Sequence, residues 1–324
     1  MYSIEELRTI FTTYLNSKSF QEVPKKLYEP NNYFLQIGGK RLRPVLLLLA
    51  TDLFGGDIKK SFPAALSIEY FHNFTLIHDD VMDDAPLRRG FQTIHTKYSL
   101  NTAILSGDVL LVKAYQCLSE IEEVYFKKIF DIYTKTAIEV CEGQQLDIDF
   151  ETDENVTQED YISMIRLKTS VLVAASMKIG AIIGGASDED ADFIYQYAEN
   201  LGIAFQIQDD ILDCFGNHQL VGKQIGGDII QNKKTLLLIE ALKRSTQAND
   251  LRLANWLDLQ KFDAVEKVNA VTAIFKKYNM EEFGREQRNI YVQKAMNALS
   301  LLNLKEDKKK ILRELVDYLV VRNA

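Results

Sequence analysis

Residues 187–216, SDEDADFIYQYAENLGIAFQIQDDILDCFG, decide the fold class of this chain. Ser187, with Asp190 three residues later, is a capping pair that is typical of a helix start. Apolar residues then recur at intervals of three and four, as on one face of a helix: Phe193, Ile194, Tyr197, Leu201 and Phe205. Because Gly216 is a suitable stop, the pattern predicts one helix of about 27 residues, roughly 40 Å long.

Proline and glycine are scarce in the rest of the chain as well. Its 324 residues include five prolines, none of them after Pro86, and 16 glycines. Sandwiches, barrels and propellers need turn residues at short intervals, so this composition excludes them. Hydrophobic residues make up 47% and aromatic residues 10%, which suffices for a large core and argues against disorder. We therefore predict an all-α protein of long helices, one of them from Pro63 through Leu76, with no domain boundary.

Charge, cysteines and hydropathy narrow the classes of function. The formal net charge is −8, which makes the chain a poor partner for nucleic-acid backbones. Its three cysteines are too scattered for a disulfide framework. No signal peptide is evident, and the longest apolar run, residues 45–50, is far shorter than the ~18 residues of a membrane span. We expect a cytoplasmic protein that binds no nucleic acid and has no membrane span.

The first acidic cluster is HDDVMDD, residues 78–84. On a helix Asp79 and Asp83 share a face, as do Asp80 and Asp84, and such carboxylates repel one another unless cations neutralise them. Carboxylate oxygens of this kind suit Mg²⁺, which bridges carboxylates to substrate phosphates. The structural alternative is a solvated acidic helix end, but the cluster interrupts an apolar sequence, which favours the edge of a cleft.

A second cluster with the same spacing, QIQDDILD, occupies residues 206–213. Asp209 and Asp213 lie near the C-terminal end of the long predicted helix, where the helix dipole disfavours anions. A purely structural role explains poorly why the same DDxxD spacing occurs twice in the chain. We predict that both clusters face one cavity and hold two or three Mg²⁺ ions around a diphosphate.

Basic residues stand beside these acidic clusters. GGKRLRP, residues 38–44, combines glycines with Lys40, Arg41 and Arg43, a composition that fits a phosphate. Arg88 and Arg89 follow the first acidic cluster directly. A surface turn and a salt-bridge role are the alternatives for these two groups. The histidines lack zinc-type spacing, and no nucleophile elbow, Walker loop or Rossmann fingerprint is present, which disfavours acyl transfer and nucleotide hydrolysis.

The ordered set of motifs resembles the trans-polyprenyl diphosphate synthases, the farnesyl/geranylgeranyl diphosphate synthase family. It runs from Gly38 to about Lys234 and includes residues 38–44, here called the basic box, both acidic clusters, Arg-Arg-Gly, Gly143-Gln144-x-x-Asp147, Lys168-Thr169 and Gly222-Lys223. The resemblance implies the isoprenoid synthase fold: a single domain over residues 1–324, with long, mostly antiparallel helices around a deep central cavity. It also implies a homodimer.

The reaction implied by the resemblance is Mg²⁺-dependent head-to-tail condensation of isopentenyl diphosphate with an allylic diphosphate. The metal ligands it implies are Asp79, Asp80 and Asp83 for two ions, and Asp209 with Asp210 and Asp213 for a third. These ions neutralise the leaving diphosphate so that the allylic C–O bond ionises. The released pyrophosphate then accepts the proton.

Further roles come from the same resemblance. The allylic diphosphate is clamped by Arg88, Lys168 and Lys223, with Lys233 nearby. The diphosphate of isopentenyl diphosphate is held by Lys40, Arg43, His72 and Arg89. Beside the developing cation lie Thr169 and Gln206, and supporting positions are taken by Gln144 and Asp147.

Product length is set in this family by the residues four and five before the first aspartate, which are Thr75 and Phe74 here. A ring at the fifth position resembles short-chain enzymes and implies C15–C20 products, geranylgeranyl slightly ahead of farnesyl. Helix geometry alone does not indicate Phe74, because this residue lies about 140° around the helix from Asp79. Phe71 is a further candidate for setting product length, but Phe71 and Phe74 could also simply be core residues.

Two alternatives remain for the function. A class I terpene cyclase also ionises a diphosphate with Mg²⁺, but it has no need for the basic box and normally lacks a second cluster of this form. A non-catalytic regulatory subunit of a heteromeric synthase would keep the fold, but both acidic clusters are intact here. A helical scaffold without enzyme function leaves the paired acidic and basic clusters unexplained.

Overall fold

A computed structural model describes residues 1–216 and 226–320. The helices in these residues, numbered along the chain, are α1 (Ile4–Asn16), α2 (Lys25–Gln36), α3 (Leu42–Leu53), α4 (Phe62–Met82), α5 (Ile94–Lys97), α6 (Leu100–Leu118), α7 (Glu123–Thr152), α8 (Gln158–Ile165), α9 (Val171–Ile183), α10 (Asp188–Phe215), α11 (Gly227–Ile230), α12 (Leu236–Gln247), α13 (Arg252–Asp258), α14 (Ala264–Lys277), α15 (Met280–Leu301) and α16 (Glu306–Val320).

Short irregular pieces complete this picture. A 3₁₀ turn (Ile58–Ser61) precedes α4, and a π-helical turn (Arg166–Ser170) links α8 to α9. The strands β1 (Leu87–Arg88) and β2 (Phe91–Gln92) pair antiparallel, with Leu87 opposite Gln92. The prediction of an all-α protein is confirmed. Within the described ranges, no helix combines the length and apolar character that crossing a membrane requires.

The two helices predicted in most detail are present. The pattern of residues 187–216 forms α10, which has 28 residues and begins where the Ser187 hydroxyl accepts the backbone N–H of Asp190 at 3.1 Å. The helix predicted from Pro63 is α4, with the proline in its first turn, where its missing N–H costs nothing. Helix α4 ends at Met82, before Pro86.

Contacts divide the chain into two compact units. The first comprises Met1–Thr134 with Ala175–Asp192, and the second comprises Lys135–Ala174 with Phe193–Ala324. The single domain predicted over residues 1–324 stays a prediction.

In the first unit, α4 packs against α3 and α6. The apolar run of residues 45–50 lies in α3 and is entirely buried, which accounts for its composition. Thr51 Oγ1 donates to Leu47 O at 3.1 Å and to Gly180 O at 3.0 Å, and so connects α3 with α9. Helix α4, which carries the first acidic cluster, is thus supported by the buried helix α3 and by α6.

In the second unit, the core lies among α8, α10, α12, α14 and α15. Its fully buried members include Ile207, Leu237 and Met280. The buried Tyr197 hydroxyl donates to Leu312 O at 2.7 Å, which attaches α16 to α10. Helix α10, which carries the second acidic cluster, is thus held by the core along one face and by α16 near its start.

Candidate active site

The first acidic cluster lies at the C-terminal end of α4 and in the turn that follows. Asp79 and Asp83 are one helical turn apart, and the backbone N–H of Asp83 donates to Asp79 O at 2.8 Å. Asp79 is half-buried and Asp83 is exposed, whereas Asp80 is only 2% exposed. This difference arises because successive helical residues are rotated by about 100°. The cluster therefore divides into an accessible pair and a buried carboxylate.

The buried carboxylate of Asp80 is held by Arg88 of β1. Arg88 Nε and Nη2 each lie 2.7 Å from Asp80 Oδ1. Burial raises the pKa of Asp80, and the Arg88 guanidinium opposes that rise. Asp80 Oδ2 is buried and has no hydrogen-bond partner among the described residues. An ion pair thus ties the hairpin to the first cluster and leaves one carboxylate oxygen for a further ligand.

Three of the predicted diphosphate ligands meet in the first unit. Arg43 Nη1 lies 3.0 Å from His72 Nε2, and Arg89 Nη1 donates to Gly38 O. Gly39 permits this approach, since a Cβ there would lie 2.6 Å from Arg89 Nη1. Arg43 Nε is buried and, in the part of the chain that the structure describes, lacks an acceptor. A buried N–H donor without an acceptor suits an anionic oxygen of a ligand. We call Arg43, His72 and Arg89 together the basic cluster.

The basic cluster carries an excess of positive charge. Burial, with the charges of Arg43 and Arg89, lowers the pKa of His72 well below its usual value. Burial also lowers the pKa of Arg43 to about 10 and reduces that of Arg89. At neutral pH the imidazole is therefore neutral while both guanidinium groups keep their charge. This combination fits a diphosphate, which offers oxygen acceptors and negative charge together.

Lys40 and Arg41 have different environments in the same loop. Lys40 is exposed, and its carbonyl accepts from Arg8 Nε at 3.1 Å. Arg41 is buried and forms an ion pair with Glu69 of α4. In the sequence, Arg41 is one cation of the basic box, and no motif indicates a role for Glu69. The sequence feature that could have indicated a buried, paired carboxylate is that Glu69 is the one charged residue in the apolar stretch AALSIEYF, residues 64–71.

Lys168 and Thr169 lie in the π-helical turn, a feature that often marks functional sites. Lys168 Nζ donates to Asp147 Oδ2 at 2.5 Å. A Cβ on Gly143 would lie 2.2 Å from the Lys168 backbone N, so α7 approaches this turn as only glycine allows. Gly143 admits the lysine backbone and Asp147 pairs with its ammonium group. Gln144, the other predicted supporting residue, is half-buried on the same helix.

The second acidic cluster also divides into a buried and a less buried part. Asp210 is 3% exposed and accepts from the Tyr161 hydroxyl and from Gln206 Nε2, the latter at 3.2 Å. Burial raises the pKa of Asp210 well above its usual value, and the charge of Asp228 adds to the rise. Asp209 is half-buried on the same helix. Tyr161 belongs to no recognisable motif, and its contact with Asp210 joins residues 49 positions apart.

Asp213 contacts the start of α11. Its carboxylate oxygens accept the backbone N–H groups of Gly227 at 3.2 Å and Asp228 at 3.1 Å. The backbone N–H of Lys233 donates to Asp228 O at 2.9 Å, and the Lys233 side chain is exposed. Asp228 therefore belongs to this acidic region, although the sequence analysis gave it no role. Lys223, a predicted clamp for the allylic diphosphate, lies outside the described residues.

The donor set of both acidic clusters fits magnesium. Over residues 1–216 and 226–320, no group of three or more His, Cys, Asp or Glu side chains forms a ready-made metal cage. Magnesium does not need one, because it keeps several waters and binds through one or two carboxylates together with substrate phosphates. Asp79 with Asp83 provides such a carboxylate pair, and Asp80 Oδ2 is an orphaned buried oxygen beside it. That the two clusters face one cavity stays a prediction.

The predicted length-determining residues lie one or two turns before the first cluster on α4. Phe71 is 1% exposed and packs against Tyr133 at 5.7 Å between ring centroids. Phe74 is half-buried, with its ring 4.8 Å from that of His78. Thr75 is half-buried and donates to His72 O at 2.8 Å. Phe71 thus occupies a core position, whereas Phe74 and Thr75 keep accessible surface, as a cavity lining requires. Their roles in product length stay predictions.

Comparison with known proteins gives a consistent result. The polyprenyl synthetase family model matches residues 24–275. A geranylgeranyl diphosphate synthase of Methanosarcina mazei is 38% identical over 303 residues, which cover 92% of this chain and 90% of that protein. A geranylfarnesyl diphosphate synthase of Natronomonas pharaonis is 35% identical over an alignment of 339 positions, gaps included, which covers 99% of this chain and 97% of that protein.

Solved structures agree in fold. A crystal structure of a geranylgeranyl pyrophosphate synthase superposes with a TM-score of 0.95 at 40% identity and covers 100% of both chains. A polyprenyl synthase from Caulobacter crescentus, complexed with calcium and isoprenyl diphosphate, has a TM-score of 0.85 at 27% identity and covers 99% and 98%. The prediction of the isoprenoid synthase fold is confirmed by these likenesses.

Proposed function

Given that this chain belongs to the polyprenyl synthetase family and is a prenyltransferase, we propose that it condenses isopentenyl diphosphate head to tail with an allylic diphosphate. Each round forms one carbon–carbon bond and releases one pyrophosphate and one proton. The product is an all-trans prenyl diphosphate one five-carbon unit longer than the allylic substrate.

The arrangement along α4 carries this proposal. His72 of the basic cluster and Asp79 of the first acidic cluster are seven residues apart on the same helix. Seven residues are about two turns, so the two positions lie on one face, about 10 Å apart along the axis. This spacing suits two diphosphate-bearing substrates whose hydrocarbon parts meet between the two clusters.

Magnesium is the cofactor in this proposal, with three ions in each site. Asp79, Asp80 and Asp83 hold two of them, and the second cluster, Asp209 with Asp210 and Asp213, holds the third. Bound magnesium supplies charge neutralisation of the leaving diphosphate, so that the allylic C–O bond ionises. The calcium and isoprenyl diphosphate named for the Caulobacter crescentus structure support a divalent cation in such a site.

The remaining predicted residues bind and orient the substrates. Arg88 and Lys168, with Lys223 and Lys233, clamp the allylic diphosphate, while Lys40 and the basic cluster hold isopentenyl diphosphate. The Gln206 amide N–H donates to Asp210, and in this proposal the Gln206 amide oxygen and Thr169 stabilise the developing positive charge. Released pyrophosphate accepts the proton.

The product in this proposal has C15–C20 length, with geranylgeranyl diphosphate slightly preferred over farnesyl diphosphate. The half-buried ring of Phe74 supports this short length because it presents bulk on the helix that carries the first cluster. The relatives include both geranylgeranyl and geranylfarnesyl diphosphate synthases, and sizing the products of this chain tests the proposed C15–C20 length.

A homodimer in the cytoplasm completes the proposal. Helix α6 exposes Leu105 and Val112, which are 57% and 65% exposed and lie seven residues apart on one face. Such apolar side chains favour a protein partner, here a second copy. Light scattering should give twice the mass of the chain. The mass of one chain would contradict the homodimer.

One assay tests the function. The purified protein is incubated with Mg²⁺, radiolabelled isopentenyl diphosphate and a C5, C10 or C15 allylic diphosphate, and the products are sized. We expect labelled products that end at C15–C20. A cyclic hydrocarbon made without isopentenyl diphosphate would support a terpene cyclase, and no condensation with any partner would support a regulatory subunit.

A further inference from the structure

Arg41 and Glu69 form a buried ion pair beside the basic cluster. The Arg41 side chain is 7% exposed and that of Glu69 is 2% exposed. Arg41 Nη1 donates to Glu69 Oε1, and Arg41 Nη2 donates to Leu35 O. Asn73, one turn further along α4, donates to the same Glu69 oxygen at 2.8 Å. Burying either charge without the other would be costly, so we expect both side chains to stay in this contact.

The backbone of Arg41 shows what this pair holds in place. Arg41 has φ +48° and ψ +35°, in the left-handed region, and it directly precedes α3. This region is uncommon for an arginine, so contacts of the side chain help to hold the backbone there. Here the side chain is anchored at Glu69 and at Leu35 O. The course of residues 38–43, which carry Lys40 and Arg43, therefore depends on the Glu69 carboxylate.

Glu69 is also a counter-charge for the basic cluster. Its negative charge raises the pKa of Arg43 and of Arg89, against the effect of burial. Glu69 Oε2 has no hydrogen-bond partner within the described parts of the chain. Arg41, Arg43 and Arg89 repel one another, and a buried carboxylate among them reduces that repulsion. The carboxylate therefore keeps the guanidinium groups together before an anion binds.

We propose that Glu69 is a positioning residue for the diphosphate of isopentenyl diphosphate. Through Arg41 it fixes the loop of residues 38–43, so that Lys40, Arg43 and Arg89 are already placed when the substrate arrives. Glu69 itself does not contact the substrate. This role rests on the proposed function, because it concerns the part of the site that binds isopentenyl diphosphate.

The test replaces the carboxylate by an amide of the same size, Glu69→Gln, in the full chain. Because a small misplacement of binding groups is costly, we expect the KM for isopentenyl diphosphate to rise about 10- to 100-fold. The KM for the allylic diphosphate and kcat should stay within about threefold of the parent. A second readout needs no catalysis: calorimetric titration with inorganic pyrophosphate, without divalent cations, should show about tenfold weaker binding.

Glu240→Gln is the matched control. Glu240 of α12 is 8% exposed and accepts from Arg244 Nε and Gln158 Nε2, each at 2.7 Å, so it is another buried carboxylate paired with an arginine. Glu240→Gln should lower the thermal midpoint without changing either KM. If Glu69→Gln does not fold, Glu69→Asp keeps the charge and retracts it by one methylene, and the KM for isopentenyl diphosphate should still rise selectively.

Two results would overturn the role of Glu69. One is that Glu69→Gln raises both KM values equally, and the other is that it raises neither. Failure of the proposed function has a different signature, namely no elongated product from the parent protein. In that case a tenfold loss of pyrophosphate affinity in Glu69→Gln would still support Glu69 as the residue that positions the anion site. Unchanged affinity would reject that role.

Discussion

Single residues decide how each acidic cluster can act. In the first cluster, Asp80 faces inward to Arg88, whereas Asp79 and Asp83 share the accessible face. In the second cluster, Asp210 faces inward to Tyr161 and Gln206. Each DDxxD motif therefore combines a buried carboxylate, hydrogen-bonded within the protein, with carboxylates that keep more accessible surface. In the proposed function, the more accessible carboxylates are the ones that a metal reaches first.

Asp79→Asn tests the outer carboxylates. The amide keeps the shape but loses the charge that, in the proposed function, holds magnesium, so kcat should fall about 100- to 1000-fold, the equivalent of several kcal/mol. Steady-state kinetics at saturating Mg²⁺ measures the change. Asp84→Asn is the control, because the Asp84 side chain is fully exposed, and it should stay within about twofold. Equal losses in the two variants would contradict the assignment of Asp79.

Phe74→Ala tests the depth of the cavity. Removing a half-buried ring should lengthen the products by one or more five-carbon units, as product sizing would show. Phe71→Ala is the comparison, because Phe71 is 1% exposed and packs against Tyr133. It should instead cost about 3–5 kcal/mol of stability. If Phe74→Ala leaves the product distribution unchanged, Phe74 is not the floor of the cavity.

At the scale of elements, the packing of α7 on the π-helical turn explains the motif Gly143-Gln144-x-x-Asp147. Gly143 and Asp147 lie one turn apart on α7, and both face Lys168. One contact concerns the Lys168 backbone and the other its ammonium group. The motif thus fixes the position of a predicted diphosphate ligand, so the family resemblance gains a physical reason.

Gly143→Ala tests this packing. The added Cβ meets backbone atoms that cannot move independently, so we expect a loss of about 1–3 kcal/mol in the free energy of unfolding. Displacement of Lys168 should also raise the KM for the allylic diphosphate. Chemical denaturation and steady-state kinetics measure the two effects. Glu142→Ala, at an exposed position on the same helix, should leave both values nearly unchanged. Wild-type behaviour of Gly143→Ala would contradict the packing argument.

Local patterns predicted the elements better than the contacts between them. The apolar period and the end signals of residues 187–216 sufficed for α10, because both are properties of neighbouring residues. The burial of Arg41 could not be predicted, because its partner Glu69 lies 28 residues away in the sequence. The sequence of the basic box is the same whether Arg41 is exposed or buried. The contact of Tyr161 with Asp210 was missed for the same reason.

At the scale of the whole molecule, the charge distribution matters more than the total. The formal net charge is −8, yet the basic cluster gathers guanidinium groups around one imidazole. The negative charge of a diphosphate complements the basic cluster, and the positive charge of magnesium complements the acidic clusters. The molecule should therefore gain stability when both ligands are present, because ligands that bind the folded state alone shift the unfolding equilibrium.

A thermal shift experiment tests this coupling. At about 100 times the dissociation constant, a ligand adds about 2.7 kcal/mol, which for a chain of this size should raise the melting midpoint by about 5 °C. Mg²⁺ with inorganic pyrophosphate should produce this shift, chelation should abolish it, and Asp79→Asn should show less of it. Magnesium chloride at matched ionic strength is the control. An unchanged midpoint with both ligands would contradict binding at the acidic clusters.

In the proposed reaction this molecule joins the hydrocarbon parts of two diphosphates and releases one pyrophosphate as it does so. The most direct measurement follows pyrophosphate release and incorporation of labelled isopentenyl diphosphate in the same reaction, with a C15 allylic diphosphate and Mg²⁺. We predict one pyrophosphate released for each isopentenyl unit incorporated, and neither process after chelation. Pyrophosphate release without incorporation would contradict the claim.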